Sequence, residues 1–224
     1  MRTLILDISF SRIFRAGPIL RAGLNVPAVI YNGVKGAPPP LDSFDRLVVS
    51  GSEASILTDD DWIVRQGEFL ARAVDAKKKI LGICFGHQLL ARALWGKSAV
   101  SKCPSAEFGW RQMEVDNSDP LFAGLPRRSW LYCSHFDQVA ALGPGARTLA
   151  DSADCGIQAF RLDGRPIWGV QFHPEFHGFV AVAILLKACA QTPLARLSLA
   201  QTVSGLRQID WGKRILANFV DTTS

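Results

Sequence analysis

The stretch from Gly82 to Gly86 has the residue types of a nucleophile elbow, with Cys84 between two glycines. In such an elbow the reactive side chain sits on a sharp turn between a strand and a helix. The glycines leave room for that turn, and the amino end of the helix favours a thiolate. An isolated Gly-x-Cys-x-Gly is more often a buried structural cysteine, so Cys84 indicates catalysis only if a partner can be found.

A candidate partner follows another apolar run, which ends just before His173, and Glu175 stands two positions later. A thiol nucleophile needs a base within hydrogen-bonding reach, and that base needs an acceptor that orients it. We expect His173 to take the proton of the Cys84 thiol and Glu175 to fix the imidazole tautomer. The other three histidines do not follow an apolar strand with a carboxylate two residues later, so they rank below His173 as the base.

A third candidate is the small-residue loop Ser50-Gly51-Ser52, which also follows an apolar run. Attack on an amide creates a negative oxygen, and N–H donors that are already in place stabilise it. The Phe85 amide, directly after the cysteine, is one candidate donor. The Gly51 amide is the other, because glycine lets the backbone approach closely. The sequence therefore predicts an oxyanion hole formed by Gly51 and Phe85.

The elements that must position these residues alternate between short apolar runs and helical patterns, which predicts a doubly wound α/β fold with a mostly parallel sheet. Ligands bind at the carboxyl ends of such strands, where all three candidates fall. The predicted buried strands are Thr3–Ile8, Ala28–Tyr31, Arg46–Val49, Ile80–Ile83 and Pro166–Phe172. The predicted helices cover about 59–76, 86–95 and 178–190.

The part of the sequence between Lys97 and Ala159 has short alternating runs separated by turn residues, which predicts an antiparallel ribbon inserted into the parallel core. We expect one domain over residues 1–190. Residues 191–224 are expected to form a helical extension that packs on it, with an apolar face made by Leu206, Ile209, Leu216, Phe219 and Val220. A helix that docks a partner is the less favoured interpretation.

Composition narrows the possible functions. The 224 residues are 48% hydrophobic, and the net charge of +5 comes from scattered Lys and Arg without interleaved aromatics, which argues against nucleic-acid binding. Five cysteines without C-x-x-C or zinc-like spacing indicate a reducing, cytoplasmic setting and no metal site. The longest apolar stretch, Phe179–Leu186, is too short to span a bilayer, and the apolar strand at the start of the sequence predicts no signal peptide.

The stretches SGSEAS, GICFGHQ and GVQFHPE occur in this order and resemble the class I glutamine amidotransferases with a Cys-His-Glu triad. Further stretches, such as EFGW and SHFD, look like the amidotransferase domain of GMP synthetase and its free-standing relatives. The resemblance covers roughly residues 1–190 and implies a flavodoxin-like sheet and no cofactor. It implies that Cys84 attacks the side-chain amide of L-glutamine, that ammonia leaves, and that water hydrolyses the γ-glutamyl thioester.

The resemblance also implies substrate contacts that spacing alone does not give. Gln88 and the segment Ser134, His135 and Phe136 would hold the amino-acid end of glutamine, largely through backbone groups in that segment. No phosphate-binding loop of the Walker type is present, so the ammonia acceptor is expected on another protein, such as a synthetase partner. Two alternatives stay open: a γ-glutamyl peptide hydrolase with the same triad, and a catalytically silent subunit that binds a partner.

Overall fold

The computed structural model describes residues 1–11, 15–192 and 211–222, and it contains a nine-stranded sheet with helices on both faces. The strands are β1 (Thr3–Asp7), β2 (Ala28–Asn32), β3 (Arg46–Val49), β4 (Lys79–Ile83), β5 (Val100–Val115), β6 (Arg128–Val139), β7 (Ala146–Asp151), β8 (Ala159–Leu162) and β9 (Ile167–Val170). The helices are α1 (Ala16–Leu24), α2 (Asp61–Asp75), α3 (Phe85–Trp95), α4 (Gly178–Gln191) and α5 (Gly212–Asp221). Short 3₁₀ turns lie at Leu41–Ser43, Lys97–Ala99 and Pro120–Phe122.

The strand order is β2-β1-β3-β4-β9-β8-β7-β5-β6, and the first five strands run parallel. This is the flavodoxin-like arrangement of a doubly wound sheet, and it confirms the predicted fold class. In it β4 and β9 are neighbours, paired from Ile80 with Ile167 to Ile83 with Val170. The ends of these two strands, which carry the elbow and the His-Pro-Glu stretch, therefore lie side by side.

The insertion between α3 and β9 is antiparallel and is added to the parallel core, as predicted, since its strands continue the same sheet. Its largest part is the β5–β6 hairpin, which the short alternating runs of the sequence indicated only in fragments. The register of this hairpin shifts between Lys102 and Glu107, which face Asp137 and His135. The irregular stretch brings residues of β6 over the elbow.

Two apolar layers cover the sheet because successive strand residues point to opposite faces. In β1, Leu4 and Leu6 belong to the layer with Phe69 of α2 and Leu89 of α3, whereas Ile5 belongs to the layer of α1 and α5. The second layer contains Leu20 and Leu24 of α1 and Ile215, Leu216 and Phe219 of α5. In the described residues, the two layers therefore cover both faces of the parallel half of the sheet.

The C-terminal part of the chain is described only from Trp211 to Thr222. There Leu216 and Phe219, expected on an apolar helix face, are fully buried against the sheet. Leu206 and Ile209 lie outside the described residues. In the described ranges, no helix is long and apolar enough to cross a membrane.

Candidate active site

The elbow between β4 and α3 holds Cys84 in a strained backbone conformation, with φ of 51° and ψ of −106°. A left-handed φ is costly for a residue with a Cβ. The neighbouring glycines explain how the turn fits. A Cβ on Gly82 would lie 2.5 Å from the carbonyl oxygen of Gly86, and a Cβ on Gly86 would lie 2.5 Å from the carbonyl oxygen of Val49. Only glycine at both positions allows β4, α3 and β3 to approach this closely.

The Cys84 residue is fixed on two further sides. Its backbone N–H donates to the carbonyl of Val170 in β9 at 2.8 Å. Its thiol lies 3.8 Å from the carbonyl oxygen of Ser134 in β6. The side chain is almost fully buried, with 4% of its surface exposed. The sulfur is therefore aimed at a point between the ends of β4, β9 and the β5–β6 hairpin.

His173 and Glu175 meet the cysteine at that point. His173 faces Cys84 across the cavity floor, and its Nδ1 lies 2.8 Å from Oε1 of Glu175. Its backbone N–H donates to the Tyr132 carbonyl at 2.7 Å. One face of the imidazole is stacked on the Phe176 ring, with centroids 4.4 Å apart and planes 12° apart. The sequence did not single out Phe176.

The charge state of His173 follows from these contacts. Burial alone would lower the pKa of the imidazole, but the Glu175 carboxylate and then the Cys84 sulfur oppose it and raise the pKa to about 10. Glu175 is fully buried, and its second oxygen has no hydrogen-bond donor among the described residues. The Glu175 carboxyl group therefore pairs with His173 and favours the protonated form of the ring.

The loop after β3 lies against the same ring. A Cβ on Gly51 would lie 2.9 Å from Cε1 of His173 and 3.5 Å from Cβ of Cys84. The Gly51 carbonyl accepts from the Ser50 hydroxyl at 2.9 Å, and that hydroxyl in turn accepts from the Ile8 N–H at 2.9 Å. The Phe85 amide is the first of α3, where backbone N–H groups have no partner inside the helix. Gly51 and Phe85, whose amides are expected to form an oxyanion hole, thus both lie next to Cys84.

The four residues expected to hold substrate all line the cavity, but they differ in exposure and in how many of their polar groups already have hydrogen-bond partners. Gln88 is buried and donates from Nε2 to the Asp137 carbonyl at 2.7 Å and to Gln171 at 3.1 Å. Ser134 offers its backbone carbonyl to the cavity through the contact with sulfur. Phe136 is 47% exposed, and its ring packs edge-on against Phe108.

The His135 ring is held from both ends. Its Nε2 lies 2.9 Å from Oε2 of Glu107, and its Nδ1 lies 3.2 Å from the Asp137 carbonyl and 3.3 Å from Sγ of Cys103. Glu107, Cys133 and His135 are close enough together to consider as metal ligands. However, Gln158 also donates to Glu107 at 2.5 Å, which makes this cluster a satisfied hydrogen-bond network. The ring supports the hairpin from inside, so any substrate contact of this segment would use its backbone.

The site opens into a cavity of about 470 Å³ that contains the sulfur, the imidazole and the carboxylate. Its walls include residues that no sequence motif indicated, because they come from a loop after β1, from the turn after Glu175 and from α4: Ser9, Phe176, Ile184 and Lys187. An arrangement of this kind can attack an acyl carbon with the sulfur and protonate a leaving group from the imidazole.

Known proteins are similar to this chain in sequence and in fold. The family model of class-I glutamine amidotransferases matches residues 28–188. The chain is 44% identical over 96 residues to the glutamine-hydrolyzing GMP synthase subunit of Thermococcus kodakarensis, covering 43% of this chain and 50% of that protein. It is 32% identical over 139 residues to the corresponding subunit of Methanothermobacter thermautotrophicus, covering 62% of this chain and 74% of that protein.

The matched stretch therefore spans about half of the Thermococcus protein. Among solved structures, a glutamine amidotransferase from Thermotoga maritima superposes with a TM-score of 0.79 over 99% of both chains, at 19% identity, which shows the shared fold. The family match covers well over half of the chain, and it includes the elbow and the His-Pro-Glu stretch. The chain belongs to the class I glutamine amidotransferase family.

Proposed function

We propose that the protein hydrolyses the side-chain amide of L-glutamine through a γ-glutamyl thioester on Cys84. The observation that carries this proposal is the contact of one thiol, one imidazole and one buried carboxylate at the floor of an open cavity. Family membership supplies the substrate class. In the proposed order of proton transfers His173 begins protonated, because Glu175 and Cys84 raise the pKa of its imidazole.

In the first half-reaction, the Cys84 sulfur attacks the carboxamide carbon of glutamine. The carbonyl oxygen becomes negative and is stabilised by the N–H groups of Gly51 and Phe85. His173 then gives its proton to the amide nitrogen, the C–N bond breaks, and ammonia leaves. A γ-glutamyl thioester and a neutral imidazole remain.

In the second half-reaction, the neutral His173 takes a proton from water as the water oxygen attacks the thioester carbon. The C–S bond breaks, glutamate leaves, and the pair of thiolate and imidazolium is restored. Glu175 stays ionised throughout and holds the Nδ1 side of the ring. Gln88 and the backbone of residues 134–136, which line the cavity, would hold the amino-acid end of the substrate.

The test is ammonia release from glutamine by the purified protein. Cys84→Ala should abolish it, and Cys155→Ala is the matched control, since Cys155 is also buried but does not line the cavity. A brief reaction quenched in acid should show a γ-glutamyl adduct on the peptide that contains Cys84. Equal ammonia release by Cys84→Ala would refute the assigned nucleophile.

A second candidate function is hydrolysis of γ-glutamyl peptides by the same triad. The size of the cavity favours it, because about 470 Å³ lies in the range of roughly 300–1,000 Å³ that takes drug-sized ligands. The cavity also continues past the sulfur to Ile184 and Lys187 of α4. Comparing kcat/KM for glutamine and for γ-glutamyl dipeptides distinguishes the two, because specificity is the ratio of these values.

We also infer that the ammonia is passed to a synthetase on another protein, because relatives named as separate glutamine-hydrolyzing subunits of GMP synthase share the sequence. A silent, partner-binding subunit is the remaining alternative. Labelling of Cys84 by a glutamine-mimicking electrophile would argue against silence. Copurification of a synthetase without labelling would favour it. The division into residues 1–190 and an extension over 191–224, and the cytoplasmic location, stay predictions.

A further inference from the structure

The helix α5 lies beyond the residues that match the family model, yet it is built into the sheet core. Ile215, Leu216 and Phe219 are fully buried in the layer that also contains residues of β1, β3 and β4. Asn218 adds two hydrogen bonds from Nδ2 to the carbonyls of Leu121 and Ala123, at 3.0 and 2.9 Å. The helix is therefore fixed laterally along its whole length.

The carboxyl end of α5 is held at the edge of the sheet where β3 and β4 begin. Arg46, the first residue of β3, donates to the Val220 carbonyl at 3.1 Å. Lys79, the first residue of β4, donates to the carbonyls of Val220 and Thr222. Both cations are almost fully buried and meet the negative end of the helix dipole.

The amino end of α5 reaches the opposite edge, next to the candidate active site. Gly212 is buried against the backbone of Pro174, and a Cβ on Gly212 would collide with the Pro174 carbonyl oxygen and lie 2.9 Å from its carbonyl carbon. That carbonyl belongs to the peptide group that joins Pro174 to Glu175. A displacement of this peptide therefore moves the backbone of Glu175 directly.

We propose that α5 positions the catalytic carboxylate, with Gly212 as the positioning residue that fixes the Pro174–Glu175 peptide and so holds Glu175 against His173. Arg46 and Lys79 fix the position of α5 along its axis. The amino end of α5 in turn fixes the position of the Pro174–Glu175 peptide. This inference rests on the proposed roles of Cys84, His173 and Glu175. It adds a segment outside the family match to the machinery of the site.

The predicted effect is on the charge state of the site, so the readout is the pH dependence of Cys84 alkylation by iodoacetamide, followed on the Cys84 peptide by mass spectrometry. Among the residues that the structure describes, the titratable groups that face His173 are Cys84 from the elbow, Glu175 from its own segment, and Tyr132 from β6. Of these, only Glu175 is attached to the peptide that Gly212 contacts. A shifted Glu175 carboxylate stabilises the His173 imidazolium less. The alkaline limit of the thiolate–imidazolium pair, which is the pH at which the imidazolium loses its proton, therefore moves to lower pH.

Gly212→Ala in the full chain should move this alkaline limit down by about one pH unit or more. It should also lower kcat for glutamine roughly 10- to 100-fold while KM stays within about twofold, since misplacement of a catalytic group by about 1 Å can cost 10²-fold. Gly23→Ala is the matched control. Its Cβ would lie 2.8 Å from Cδ1 of Leu216 on the same helix, which is the end of a flexible side chain and not the backbone of Pro174. It should change stability and leave the pH dependence in place.

Lys79→Met provides a second variant if Gly212→Ala does not fold. Lys79→Met keeps a long apolar side chain under α5 but removes the ammonium group that donates to the carbonyls of Val220 and Thr222. This variant should also move the alkaline limit to lower pH, by a smaller amount than Gly212→Ala. A folded Gly212→Ala protein with the wild-type pH profile would overturn the proposal. If that variant does not fold, a wild-type profile in Lys79→Met would overturn it. Alkylation needs no glutamine, so a protein that fails to hydrolyse glutamine refutes the proposed function and leaves this test intact.

Discussion

Glu175→Gln tests how the site is charged, because it keeps the shape of the side chain and removes its negative charge. In the protein, burial works against the protonated form of His173, and Glu175 is the strongest influence that opposes burial. The increase of the His173 pKa from its ordinary value near 6.5 to about 10 corresponds to roughly 5 kcal/mol in favour of the protonated ring. Without the carboxylate, burial remains and the pKa should fall to about 6.5 or below.

The expected loss of function follows from that change. At pH 8 the protonated fraction of a ring with a pKa near 6.5 is about 30-fold lower than that of a ring with a pKa near 10. We therefore expect kcat/KM for glutamine at pH 8 to fall by at least about 30-fold. The alkaline limit of the pH profile should move from about pH 10 to about pH 6.5.

The assay is ammonia release from glutamine across the pH range, with iodoacetamide alkylation of Cys84 as a direct measure of the thiolate. Glu107→Gln is the matched control, because Glu107 is also a buried carboxylate bound to a histidine, at 2.9 Å from His135. Its alkaline limit should stay near pH 10. An unchanged limit in Glu175→Gln would refute the reasoning, since it would mean that the carboxylate does not control the imidazole.

Substitutions at three positions probe the geometry around the sulfur. Cys84→Gly should be about 1 kcal/mol more stable than Cys84→Ala in urea unfolding, because only glycine adopts a φ of 51° without strain, and both should be inactive. Gly51→Ala should lower kcat at least about tenfold, because the new Cβ would lie 2.9 Å from Cε1 of His173 and displace the ring. A wild-type kcat in this variant would contradict that contact. Phe176→Leu removes a ring that stacks on the imidazolium, a contact worth about 1 kcal/mol, so the alkaline limit should fall by somewhat less than one pH unit. Phe176→Tyr keeps an aromatic ring at this position and should have the wild-type limit.

The parts of the fold that the sequence predicts well are the short buried strands of the parallel half. In β3 and β4 every residue is buried, so a continuous apolar run marks the strand and its end marks the site. This is why Cys84 and His173 could be proposed from local patterns alone. Their contact could not be read from either stretch, because it depends on β4 and β9 being neighbours in the sheet.

Other elements were missed for identifiable reasons. The helix α1 has no side-chain cap at its amino end and contains Gly17, Pro18 and Gly23, so its sequence resembles a loop. The strand β5 runs for 16 residues, but Pro104 and the register shift near it interrupt the alternation that marks a strand. In both elements tertiary packing overrides local preference.

The walls of the cavity show a further limit of sequence reasoning. Ile184 and Lys187 lie on an apolar helix whose pattern does not tell which side faces the site. The bonds of His135 to Glu107 and Cys103 join residues that are far apart in the chain. Such contacts depend on the full arrangement of the hairpin and not on any motif within it.

The hydrogen bond from the Cys84 N–H to the Val170 carbonyl ties the reactive turn to the neighbouring strand, and β9 leads directly into His173. The relative placement of thiol and base is thus a property of strand pairing at the centre of the sheet, where neither strand is an edge. On heating, inactivation and global unfolding should therefore occur in a single transition, without an inactive but folded form below it. A destabilised variant would lose enzyme by lowering the folded population, while each remaining folded molecule worked at its normal rate.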